Sequence, residues 1–248
     1  MLTAIAIVPV FLLLIYIYFQ DTGHKEPLGF LALVFLAGCF SVVPAIFMEQ
    51  GLSMFSFGDG VLDGLYTGFA VAGFSEELCK FLLLMLIVWR SRHFDEYFDG
   101  IVYAVFLGLG FACVENINYV YSSGSFAGAI GTGIMRALLA VPAHFLFAVT
   151  MGYFLSLAKF DPKHRGLNLF KALLLPVLLH GTYDSLLMVG GAFGQYSTAI
   201  EGVLFVVFVV FDIRMWRWGI RRIKRLQQLA AEQNFDPRDP FAGFTWDF

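Results

Sequence analysis

The chain has 248 residues, of which 59% are hydrophobic, 17% aromatic and only 14% charged, with a mean hydropathy of +0.76. Soluble domains carry about 25% charged residues, so the composition excludes an ordinary soluble domain and indicates an integral membrane protein. The net charge of −3 carries no nucleic-acid signal, because the positive residues are confined to particular loops.

Apolar runs long enough to cross about 30 Å of hydrocarbon occur at 2–19, 28–48, 61–89, 99–120, 127–158, 168–189 and 197–217. The expected fold is therefore all-α, a polytopic bundle of about seven membrane helices with short connections. The first run lacks a basic flank and an A-x-A-like site, so it reads as a retained span, not a cleaved signal peptide. The fifth contains Pro142 and is expected to be tilted, kinked or split. Cys39, Cys79 and Cys113 all lie inside apolar runs, where neither a disulfide framework nor zinc-ligand spacing is expected.

Loop charges set the orientation. Arg90 and Arg92 follow the third run, and Lys159, Lys163, Arg165 and Lys171 lie between the fifth and sixth. Arg214, Arg217, Arg221, Arg222, Lys224 and Arg225 end the seventh, whereas 49–60, 121–126 and 190–196 contain no Lys or Arg. The alternation predicts a cytoplasmic C-terminus and an outside N-terminus. Residues 214–230 mix Trp216, Trp218, Ile220, Ile223, Leu226 and Leu229 with the basic residues, as an interfacial amphipathic helix does. The chain thus divides into one membrane domain over 1–220 and a basic amphipathic segment with a flexible tail over 221–248.

Ionisable residues inside these runs are costly, roughly 2.5–3.5 kcal/mol each near the bilayer centre, and mark functional sites by default. The third run carries Glu76, Glu77 and Lys80, the fourth Glu115 and Asn116, the fifth Arg136 and His144, and the sixth His180 and Asp184. At 1.5 Å per residue, all of them fall in the central or outer half of the membrane. Four spans converging on one depth point to a shared site. Glu76 and Lys80 form an i,i+4 pair in the favoured order, with Lys80 as counter-ion. Glu77 points about 100° from Glu76 and need not share its partner. His180 and Asp184 are also i,i+4, a spacing that lets the carboxylate hold the imidazole in one tautomer. Pro142 and Pro176 precede the two histidines and can open space beside them. Gly60, Gly64, Gly68 and Ala72 form a small-residue series leading to Glu76, where a neighbouring helix can approach closely. The four acids against Lys80 and Arg136 leave two excess negative charges. A raised carboxylate pKa, a protonated histidine or a divalent metal would offset them.

The blocks GFSEELCK (73–80), DGIVYAVFLGLGFACVENINYVY (99–121), RALLAVPAHFLFAVTMGY (136–153) and LLHGTYDSLL (178–187) resemble, in family order, the PrsW intramembrane proteases, relatives of the CAAX prenyl endopeptidases. The resemblance covers most of the third to sixth runs. It implies a helical-bundle endopeptidase with Glu76, Glu77, Glu115, His144 and His180 as catalytic residues and Lys80, Asn116, Arg136 and Asp184 in support. CAAX relatives end the last motif in Asn or similar, where this chain has Asp184, so Asp184 is assigned to orienting His180. In the implied mechanism a water between Glu76 and a histidine attacks a peptide carbonyl, and Asn116 or a protonated histidine stabilises the oxyanion. No cofactor is preferred, with a divalent metal such as zinc on His144, His180, Glu76 and Glu115 as the alternative. The implied partners are the lipid bilayer and single-span membrane proteins of the anti-sigma-factor kind, in a bacterial cytoplasmic membrane. A proton- or cation-coupled transporter and a non-catalytic scaffold are the competing functions, and the acidic motif has no counterpart in a second half as many transporters would show.

Overall fold

Nearly every residue from Asp99 to Cys113 is shielded from the surroundings, Phe106 being the partial exception. A helix apolar and covered on all sides belongs at the centre of a bundle, and this one, α5 (Asp99–Tyr121), is the axis of the computed structural model. The model describes residues 1–58, 60–194 and 196–234. Around α5 stand α1 (Leu2–Gln20), α2 (Leu28–Ser53), α3 (Gly60–Tyr66), which runs through a π-helical stretch over 67–74 into α4 (Ser75–Ile87), α6 (Phe126–Leu138), α7 (Ala140–Phe160), α8 (Arg165–Gly194) and α9 (Thr198–Gln233). No strand occurs among the described residues. The protein is an all-α membrane bundle.

The seven apolar runs are all helical. Among the described residues, five stretches are long and apolar enough to cross a membrane by length and composition: Leu2–Gln20, Leu28–Ser53, Asp99–Tyr121, Phe126–Phe160 and Pro162–Gly194. The helical stretch from α3 to α4 carries Asp63, Glu76, Glu77 and Lys80, and the apolar part of α9 carries Glu201, Asp212, Arg214 and Arg217, so neither meets that composition. The outer surface is apolar where a soluble bundle would be charged: Leu12, Phe19, Phe40, Phe47, Leu86 and Val206 are all exposed. These side chains face the acyl chains.

Connections alternate between two ends. His24 in the α1–α2 loop meets Glu96 in the α4–α5 loop (Nδ1–Oε1 2.6 Å), Lys159 donates to Trp89 O (2.8 Å), and Gln227 of α9 donates to Gln20 O (2.6 Å). These contacts gather the basic loops at one end. At the other end the Thr3 and Tyr121 hydroxyls are 2.7 Å apart, and Tyr66 donates to Leu52 O (3.0 Å).

Two local features follow from the sequence. The fifth run is split at Leu139 (φ −121°, ψ −61°) into α6 and α7. Pro142 has no N–H to donate back to Leu138, which ends the hydrogen-bond ladder there. Across the π stretch, Gly64, Gly68 and Gly73 abut α8, and Ala72 lines the cavity. A Cβ on Gly68 would lie 2.8 Å from Ser185 N and 2.9 Å from Gly181 O. Only a glycine lets the two backbones come this close.

α9 runs unbroken through residue 220 and lays Met215, Gly219, Ile223, Leu226 and Ala230 against the bundle. Arg222 donates to Thr150 Oγ1 (2.5 Å). The tail expected to be flexible, residues 235–248, lies outside the described residues.

Candidate active site

The helix starting at Ser75 places Glu76 and Glu77 in its first turn and Lys80 one turn on. The Lys80 ammonium donates to both, 3.0 Å to Glu76 Oε2 and 2.8 Å to Glu77 Oε1. The two glutamates therefore do share a partner. Positions i+3 and i+4 both reach back along the helix, so one lysine spans the 100° between them. Phe111 closes the other side, its ring centroid 4.0 Å from Nζ. Glu76, Glu77 and Lys80 are all buried, and Glu77 Oε2 has no hydrogen-bond partner.

The two histidines arrive from α7 and α8, with ring centroids 5.3 Å apart and planes at 87°. Each points Nδ1 at the α4 motif and Nε2 at an outer carboxylate. His144 Nδ1 lies 3.3 Å from Lys80 Nζ, and its Nε2 lies 2.8 Å from Glu115 Oε2. His180 Nδ1 lies 3.0 Å from Glu77 Oε1 and 3.9 Å from Glu76 Oε2, while its Nε2 faces Asp184 Oδ2 at 3.3 Å. For His144 the pattern matches the neutral ring with its proton on Nε2, leaving the Nδ1 lone pair toward the lysine. Phe147 stacks on His180 (4.7 Å, 19°) and limits its rotation.

Glu115 is held in turn by Arg136 at the end of α6, with Nη2 2.8 Å from Oε2 as an ion pair. Arg136 Nε donates to Asn116 Oδ1 (2.7 Å), and its guanidinium lies over the Tyr119 ring (4.0 Å). Asn116 is fully buried, and its amide donates to Ala6 O at 2.7 Å. The side chain implied as an oxyanion donor is thus committed to joining α5 to α1 and to holding Arg136.

A cavity of about 750 Å³ opens beside this network. Glu76, Glu115, Arg136, His144, His180 and Asp184 line it, together with apolar residues such as Val42, Ile46, Val71 and Leu187. Glu77, Lys80 and Asn116 stand behind the lining. Its residues come from the ends of α2, α5 and α8 and the starts of α4 and α7, so it occupies the half of the bundle away from the basic loops.

One lining residue was missed in the sequence: Glu49, half-buried near the end of α2. A lone acid at the edge of an apolar run reads as the start of a loop, and α2 in fact continues to Ser53. Asn118, Tyr119, Phe111 and Phe147 also line the cavity.

One donor atom each from Glu76, Glu77, His144 and His180 can be chosen so that all lie within 4.8 Å of one another. Two imidazoles and two carboxylates suit zinc, and the partnerless Glu77 Oε2 leaves one acceptor free. This set differs from the implied one by Glu77 in place of Glu115, because Glu115 is turned outward to Arg136 and the far side of His144. Lys80 engages three of the four side chains.

The family described as PrsW family intramembrane metalloprotease matches residues 26–213. Proteins named Protease PrsW are similar over nearly the whole chain. That of Clostridioides difficile is 38% identical, covering 89% of this chain and 89% of its own length. That of Geobacillus kaustophilus is 34% identical, covering 95% and 96%, and that of Bacillus subtilis 34%, covering 92% and 96%. No solved structure matches. With the family match spanning most of the bundle and all four polar blocks, the chain belongs to the PrsW family of intramembrane proteases.

Proposed function

We propose that this protein hydrolyses peptide bonds of single-span membrane proteins, of the anti-sigma-factor kind, inside the cavity formed by α2, α4, α5, α7 and α8. The observation that carries this is the meeting of Glu76, His144 and His180 from three helices at the wall of one cavity. Glu76 is the general base, because of the paired glutamates it alone lines the cavity. Glu77 and Lys80 fix its position from behind. His144 and His180 orient the attacking water, each ring held by its outer carboxylate, Glu115 or Asp184. His180, with a carboxylate oxygen facing both ring nitrogens, and the Arg136 guanidinium at the cavity wall are the cationic groups that stabilise the oxyanion.

In the alternative, zinc-dependent form of the reaction, Glu76, Glu77, His144 and His180 would hold a zinc-class ion, with Glu76 a ligand in place of the base, both rings neutral, and Glu115 and Asp184 orienting the histidines from outside. Bound there, such an ion supplies a water of lowered pKa and a Lewis acid for the carbonyl. The apolar walls suit an unwound transmembrane segment. The basic end is assigned to the cytoplasm, with the C-terminus there and the cavity in the outer half of the membrane. The organisms of the relatives support a bacterial cytoplasmic membrane.

The test is N-terminal profiling of membrane proteins in cells expressing wild type, Glu76→Gln or His180→Ala at equal levels. New termini near the ends of single spans are expected with wild type alone. If none appears under several envelope stresses, the protease assignment of this site fails, and transport or scaffolding takes its place.

A further inference from the structure

At the end of the bundle away from the cavity, a second set of carboxylates converges. Asp99 heads α5 and is fully buried. Its Oδ2 accepts from the backbone N–H groups of Asp95 (3.0 Å) and Glu96 (2.6 Å). Its Oδ1 is also buried and has no partner. Glu26, 5% exposed in the α1–α2 loop, accepts from the Tyr103 hydroxyl, which also lies 3.0 Å from His93 O. Asp95 is exposed, and one oxygen each from Glu26, Asp95 and Asp99 falls within 4.8 Å of the others.

The neighbouring cations are engaged elsewhere. Lys25 donates to the carbonyls of Tyr18 and Asp21, and His24 pairs with Glu96. Among the described residues none of the three carboxylates forms an ion pair. Buried carboxylates without a counter-charge are strongly destabilising. An oxygen-only set with one solvent-facing member suits a hard cation entering from water, and it lacks the nitrogen or sulfur donors that zinc prefers.

We propose that Glu26, Asp95 and Asp99 form a site for a hard divalent cation, of the Mg²⁺ or Ca²⁺ class. The ion ties the α1–α2 loop to the first turn of α5 and braces the central helix at the end opposite the cavity. The site is separate from the Glu76 group and does not depend on the function proposed for it.

Terbium luminescence on the purified full-length chain in detergent, excited through the aromatic side chains, tests this directly, because Tyr103 touches Glu26. Wild type is expected to show saturable emission that Ca²⁺ or Mg²⁺ displaces, and the same ions are expected to raise its thermal midpoint after EDTA treatment. Asp95→Asn, at an exposed position, should weaken terbium binding by about tenfold or more, since affinity follows the ligand charge count. Asp99→Asn should remove it, and Glu76→Gln should leave it unchanged. The proposal is overturned if wild type gives no displaceable emission, if both aspartate variants titrate like wild type, or if Glu76→Gln abolishes the signal. In the first case a proton shared by Glu26 and Asp99 neutralises the cluster instead. Should Asp99→Asn fail to fold, Asp95→Asn decides the matter alone.

Discussion

His144 and His180 face the α4 motif in the same sense, each with Nδ1 inward and Nε2 toward a carboxylate, Glu115 at 2.8 Å and Asp184 at 3.3 Å. The two rings come from different helices, yet their outer nitrogens are held alike. A carboxylate on the far nitrogen fixes each ring's orientation, while the near nitrogen of His144 faces Lys80 Nζ at 3.3 Å and that of His180 faces Glu77 Oε1 at 3.0 Å.

Removing those outer carboxylates should therefore hurt without abolishing. Glu115→Gln and Asp184→Asn are each expected to lower cleavage of a single-span reporter in proteoliposomes by about 10- to 100-fold, the range for groups that orient a reactive histidine. Glu76→Gln should cost more, about 10²- to 10⁴-fold, as loss of a general base does. Equal losses in all three would argue against separate roles.

Lys80 holds two buried carboxylates at once. Lys80→Met should destabilise the bundle by about 3–5 kcal/mol, the cost of leaving a buried charge unpaired. Adding Glu77→Gln should recover part of that loss. Thermal unfolding in detergent, followed by helical circular dichroism, reports both, and no recovery in the double variant would show that Lys80 stabilises by packing.

The donor set of Glu76, Glu77, His144 and His180 makes metal removal informative. If the reaction uses zinc held there, a zinc chelator abolishes reporter cleavage and stoichiometric zinc restores it. Metal analysis of His144→Ala and His180→Ala should find zinc occupancy lost. Full activity in a demonstrably zinc-free preparation would leave the glutamates and histidines to activate water unaided.

Gly68 meets the backbone of α8 at Gly181 and Ser185. Gly68→Ala should cost about 1–3 kcal/mol as an overpacking substitution. It should also lower activity, because it pushes His180 away from Glu77. Activity kept at wild-type level in a stably folded Gly68→Leu would show that this close approach does not position the site.

Burial pushes the Glu26 carboxyl up from its ordinary 4.5 to about 7, and Asp21 and Asp95 add to the rise, while the Tyr103 hydroxyl opposes it. The folded chain then keeps a proton that the unfolded chain gives up. Its contribution to stability is complete below the unfolded value and lost as pH rises through about 7. In EDTA the melting midpoint should fall between about pH 5 and 8, and Glu26→Gln should flatten that slope. A saturating divalent cation should flatten it too.

Much of this was legible in the residues. Composition and seven apolar runs are enough for a membrane helix bundle, because a chain in hydrocarbon must satisfy its backbone polar groups within its own helices. The costly residues at one depth marked Glu76, Glu77, His144 and His180, because burying a charge in lipid is unfavourable without a purpose. Lys80 as counter-ion and Asp184 as partner of His180 followed from i,i+4 spacing alone. These are local or compositional quantities, and a linear chain displays them.

What needed the folded molecule was every relation between helices. Spacing placed Glu115 near a histidine's depth but not against Arg136, and it offered Asn116 as a free donor when its amide is bound to Ala6 of a helix 110 residues away. The π stretch at 67–74 rotated the glycine series by a fraction of a turn, which no 3.6-residue periodicity reveals. Glu49 lies on α2 where the sequence reads a loop, and Glu26 and Asp95, from two different loops, meet Asp99 at the head of α5. Which side chains meet depends on helix rotation and packing against neighbours, and those are set by contacts between segments far apart in the chain.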